Sequence, residues 1–118
     1  LVTGLAKLRE KDAGAVDAME GLKMATVNGS GAMGLKDGDV LMAGKLADMI
    51  MIDLQQPNMQ PLNNIPKNLV YSGSKQNVIM TMVGGNILYE KGEFYTKDRP
   101  EDIYEKAGNI MDRIRRSL

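Results

Sequence analysis

Among its 118 residues the sequence has no cysteine, no histidine and no tryptophan. Without cysteine there is no disulfide and no thiolate nucleophile; without histidine there is no imidazole base and no imidazole metal ligand. Neither a complete zinc site nor a nucleophilic triad can be assembled from these residues. Net charge is missing as well: 15 Lys and Arg balance 15 Asp and Glu, so no long-range field draws the chain to nucleic acid or to an anionic membrane. One Phe and the scattered Tyr71, Tyr89, Tyr95 and Tyr104 make no stacking platform for bases. No run approaches the roughly 20 apolar residues that span a bilayer, and no signal-peptide pattern opens the chain. No nucleic acid and no membrane are expected as partners, and the cytoplasm is the expected compartment.

What is present suits one globular domain. The composition is 43% hydrophobic and 25% charged, and the length allows a real core. The chain opens on Leu1 and enters at once on helix-like sequence, so a processed or truncated start is expected. Its organising stretch is Gly44 to Asp53, GKLADMIMID, where a Gly-Lys turn runs into an apolar strand. Helical patterns precede it and mostly sheet-like patterns follow.

Leu1, Leu5 and Leu8 stand at helical spacing before the charged Arg9, Glu10 and Lys11, and Gly14 ends that pattern. Asp17 with Glu20 three residues later marks a capped start, so a second helix is expected from Ala18. A glycine costs about 1 kcal/mol relative to alanine inside a helix, which predicts a break near Asn28 to Ser30 between two short helices. The run NGSGAMG lacks the Lys-Ser/Thr ending of a phosphate loop and follows no strand, so it is read as helix and turn.

Val40 to Met42 is expected to pair as a first strand, and Ala47 to Leu54 to form a second. In the latter Met49 and Met51 face one way and Ile50 and Ile52 the other, which implies burial on both faces. Gln55 to Asn68 holds Pro57, Pro61 and Pro66 and reads as an extended connecting loop, not a helix. Leu69 to Tyr71 fits a brief strand or a helical turn, and Ser72 to Gln76 a polar loop. Val78 to Val83, the turn Gly84-Gly85 and Asn86 to Glu90 form a hairpin, followed by a Lys91-Gly92 turn and a short strand Glu93 to Thr96. Asp98, Pro100 and Glu101 start a final amphipathic helix with Ile103, Ala107, Ile110, Met111 and Ile114 on one face. Arg113, Arg115 and Arg116 fall at its end, where the helix dipole favours cations.

Four stretches together resemble the C-terminal part of an amidohydrolase-superfamily enzyme: MATVNGSGAMGL (Met24 to Leu35), AGKLADMIMIDL (Ala43 to Leu54), NLVYSG (Asn68 to Gly73) and VIMTMVGGNILYEKGEF (Val78 to Phe94). Within that superfamily they are most similar to the branch of 5-methylthioadenosine/S-adenosylhomocysteine deaminases and chlorohydrolase-like enzymes. The resemblance implies a metal-dependent hydrolase built from a (β/α)8 barrel and a composite β-sandwich. It implies a mixed α/β fold in which residues 1–36 are terminal barrel helices and residues 37–118 are the C-terminal sandwich strands with a terminal helix. Zinc or another divalent metal is implied for the intact enzyme, where it would lower the pKa of bound water for attack on the substrate ring. The family's metal ligands all precede this segment, so no catalytic, cofactor-binding or metal-binding residue carries over to it. The segment alone is expected to be inactive. One departure from the family pattern stands at Asp39, where a glycine is usual, and it widens the turn expected before the first strand.

The remaining polar candidates have bland explanations. Lys45 and Asp48 are expected to be a solvated turn residue and a residue that orders the strand start, because a lone exposed ion pair contributes little. Asp53 has no neighbouring ligand in sequence to make it a metal site. The ten methionines are expected mostly at core-facing positions, where the flexible thioether fills gaps. Arg113 to Arg116 read as a solvated helix end.

Two functions from different classes follow. One is an inactive C-terminal piece of a hydrolase that deaminates an aminopurine nucleoside or related ring, its partners being the missing N-terminal part and, for the intact enzyme, a small-molecule substrate. The other is a free-standing, noncatalytic α/β module for oligomerisation or binding. A strand apolar on both faces and a long Pro-Asn loop favour the first, since both call for a covering surface. Homo-oligomerisation is expected from the same exposed edges.

Overall fold

Two layers with few buried side chains between them make up this computed structural model, which describes residues 1–117. Helix α1 (Val2–Glu10) packs on α2 (Ala18–Ala25), which also contacts α3 (Val27–Ala32) and α4 (Ile65–Tyr71). The α1–α2 approach is close because Gly21 has no side chain: a Cβ there would lie 2.8 Å from the Thr3 methyl. The other layer is a four-stranded sheet of β1 (Met49–Ile52), β2 (Val78–Val83), β3 (Asn86–Glu90) and β4 (Glu93–Phe94), in that order and antiparallel throughout. Helix α5 (Pro100–Ser117) follows and buries none of its residues. Among the described residues no helix is long and apolar enough to cross a membrane.

Local chemistry accounts for the elements that match expectation. The Asp17 carboxylate accepts from the Glu20 amide at 2.7 Å and starts α2 as its spacing predicts. The β2–β3 hairpin has the expected bounds, and Gly84 and Gly85 take φ of 55° and 80°, the two positive angles of its turn. Tyr89 and Phe94 meet across β3 and β4 with ring centroids 5.1 Å apart, which holds the short last strand. That strand ends at Phe94 rather than Thr96.

Four expectations are corrected. The break between the short helices falls at Thr26, whose hydroxyl bonds back to the Leu22 carbonyl at 2.8 Å, so Gly29 and Gly31 lie inside α3. Val40 to Met42 is not a strand: the Met42 carbonyl accepts from the Lys45 amide and the Leu46 amide reaches the Asp37 carbonyl, closing a compact loop. The strand predicted over Ala47 to Leu54 is confined to Met49–Ile52, with a register shift between Met51 and Ile52. The Pro-Asn segment is no plain loop, because a short 3-10 turn spans Pro57–Met59 and α4 starts at Ile65. There Asn64 caps the helix by accepting from the Lys67 amide, and Pro66 occupies the first turn, where its missing N–H has no intrahelical partner to lose.

Burial is sparse. The only buried hydrophobic residues among those described are Ala18, Met59 and Met80. The methionines are therefore not mostly core residues: Met19, Met24, Met33, Met42, Met51 and Met111 are exposed. The two-faced strand is likewise uncovered at Ile50 and Met51. The accessible surface is 9386 Å², against roughly 6,300 Å² for a compact monomer of this mass. The radius of gyration is 18.4 Å, against about 13–14 Å for a compact domain of this length. Much of the apolar surface that the sequence patterns for burial has nothing over it.

Candidate functional site

Three features concentrate polar or concave surface. The first is the loop before β1, where Lys45 Nζ lies 3.0 Å from Asp39 Oδ1 and 3.6 Å from Asp37 Oδ1 and donates to the Lys36 carbonyl at 2.8 Å. Its side chain is 19% exposed, so it is not the solvated turn residue expected, and its partner is Asp39 rather than Asp48. Asp39 Oδ1 is shielded from water, with the Lys45 ammonium at hydrogen-bonding distance as its charge partner. Hydrogen bonding to Lys45 nevertheless holds the Asp39 carboxyl below the usual carboxylate range, against the opposing effect of burial. The same contact raises Lys45 above an ordinary lysine, again opposed by desolvation. Asp48 acts elsewhere, with its Oδ1 accepting from the Gly84 amide at 2.6 Å and tying the strand start to the hairpin turn.

The second feature, which the sequence reading missed, is an amide cluster around Asn77, a residue only 1% exposed. Asn77 Nδ2 lies within hydrogen-bonding distance of the Asp53 carbonyl, Gln56 Oε1 and Asn58 Oδ1. Asn77 Oδ1 accepts from the Ser74 amide, from the Ser74 hydroxyl and from Asn58 Nδ2. Two donors and one acceptor oxygen are thus fully used, and the Pro-Asn segment is fastened to the start of β2. Asn68 extends the fastening by donating to the Met59 carbonyl at 2.8 Å. The available signal was the Ser74-x-x-Asn77 spacing, a capping pattern that starts inside the expected polar loop Ser72 to Gln76 and ends one residue past it. Asp53 belongs to the same region, where its carboxylate accepts from the Gln55 amide at 2.9 Å in a local turn.

The third feature is an open groove of about 810 Å³ between α3, the 35–41 loop and strands β1 and β2. Val27, Met33, Leu41, Ile50 and Met82 make it mainly apolar, with Asp39 and Asp48 on its wall. A smaller hollow of about 360 Å³ lies between α1 and α2 beside Val70. The groove also carries the hydroxyls of Thr26, Ser30 and Thr81, and that of Ser30 donates to the Leu35 carbonyl. Arg113, Arg115 and Arg116 lie at the end of α5, and Arg115 sits 3.9 Å from Asp112.

The donor set does not fit a metal ion. Among the described residues no three His, Cys, Asp or Glu side chains converge well enough to hold one, and Asp37 and Asp39 both face the Lys45 ammonium instead. What the arrangement does chemically is hold loops in place and leave apolar faces open.

A profile of the Amidohydrolase family matches residues 2–88. The chain is 36% identical over 99% of its length to a 5-methylthioadenosine/S-adenosylhomocysteine deaminase of Dictyoglomus thermophilum, of which it covers 28%. It is 42% identical over 91% of its length to the deaminase of the same description from Moorella thermoacetica, covering 25% of it. Among solved structures, an adenosine deaminase from Xanthomonas campestris with bound zinc superposes with a TM-score of 0.90 at 30% identity, over 97% of this chain and 26% of that one. The chain spans about a quarter of the length of the curated relatives it matches.

Proposed function

We propose, from the premise that the chain belongs to the amidohydrolase family, that it is the C-terminal part of a metal-dependent hydrolase acting on non-peptide C–N bonds. The reaction is hydrolytic deamination of an aminopurine nucleoside, with 5-methylthioadenosine and S-adenosylhomocysteine as the substrates to test. One observation carries this reading: nearly the whole chain aligns to a deaminase of which it covers 28%. Two physical features support it. The accessible surface of 9386 Å² exceeds that of a compact monomer by roughly half, and the apolar groove and the stripe on α5 are the kind of surface another part of a protein covers.

In this reading residues 1–36 are the last helices of a (β/α)8 barrel, and residues 37–118 form part of a β-sandwich with its terminal helix. The segment is a structural piece. It closes and braces a site whose metal and acid–base groups lie elsewhere in the enzyme, since the sequence has no histidine and the donors among the described residues do not converge on a point. Its principal partner is the rest of the same protein.

Complementation tests this directly. The Dictyoglomus thermophilum deaminase, truncated by the segment that aligns here, is coexpressed with this chain, and ammonia release from 5-methylthioadenosine is measured with zinc supplied. Restored turnover in the mixture, with none from either piece alone, is the expected result. Turnover by this chain alone would overturn its assignment as a noncatalytic piece. No turnover in the mixture, with both pieces soluble and folded by circular dichroism, would overturn its assignment as the matching part of a deaminase.

A further inference from the structure

We draw no further inference here: the strongest candidate, the open apolar groove between α3 and strands β1 and β2, belongs to faces already assigned to contact with the rest of the enzyme, and nothing in the structure shows what covers it.

Discussion

Asn77 fastens more of this molecule than any charged residue does. Its amide reaches three acceptors and its oxygen three donors, all at a position 1% exposed, so truncation leaves several polar groups without partners. Asn77→Ala is expected to cost about 2–3 kcal/mol in urea unfolding, the usual penalty for orphaned buried hydrogen-bonding groups. Asn77→Asp is the sharper test. It keeps an acceptor but turns a carboxylate toward three other oxygens, so its deficit at neutral pH should shrink as the pH falls and the carboxyl protonates; a deficit independent of pH would count against the hydrogen-bond account. The Lys45–Asp39 pair has its own pH window. Lys45 is held above its ordinary pKa, so its contribution is complete below about pH 10 and is lost as the pH rises through the raised value. Asp39 is held below its ordinary pKa, so its contribution is complete above about pH 4 and is lost as the pH falls through the depressed value. Lys45→Met should therefore lower the urea midpoint between those limits and flatten the stability curve at both ends.

At the scale of elements, two glycines decide whether α4 and the hairpin can form. A Cβ on Gly73 would lie 2.5 Å from the Leu69 carbonyl oxygen, a backbone neighbour that cannot rotate away. Gly73→Ala is thus expected to unwind the end of α4 and cost about 1–3 kcal/mol, the range of overpacked sites. Gly84 has the opposite surroundings, with nothing within 4 Å of a built Cβ, yet its φ is 55°. Here the backbone alone decides. Gly84→Val should cost about 1–2 kcal/mol while Gly84→Asn stays near neutral, because Asn tolerates the left-handed region and a β-branched residue does not. Equal losses for both, measured by chemical denaturation, would point to a contact at the turn instead. The hairpin was legible because alternation and Gly-Gly are local signals. Helix α4 was obscured by its proline: Pro66 reads as a breaker until Asn64 is seen capping the helix just before it. The loop at Val40 to Met42 went wrong for a related reason, since β-favouring residues make a strand only where a neighbour offers a ladder, and the Asp37–Lys45 contacts close the backbone on itself first.

At the scale of the whole molecule, exposed apolar surface is the dominant property. Ile103, Ile110, Met111 and Ile114 of α5 are each about half exposed, and β1 leaves one edge unpaired in a sheet that begins with it. Such surface favours association. Sedimentation velocity of the isolated chain should show a weight-average mass that rises with concentration, and coexpression with the truncated deaminase should suppress that rise. A mass fixed at 12.9 kDa across the concentration range would refute this expectation.

The sequence by itself determined the family, the antiparallel hairpin, the capped α2 and the amphipathic α5, because each rests on residues close together in the chain or on a run of motifs in fixed order. It also determined that no imidazole or thiolate chemistry can come from these residues. Only the tertiary structure decided that Lys45 belongs to Asp39, that Asn77 holds a segment some 20 residues away, and that most methionines have no core to fill. The physical reason is common to all three. A side chain's partner, or the lack of one, depends on which distant backbone arrives beside it, and alternation or spacing along the chain carries no record of that arrival.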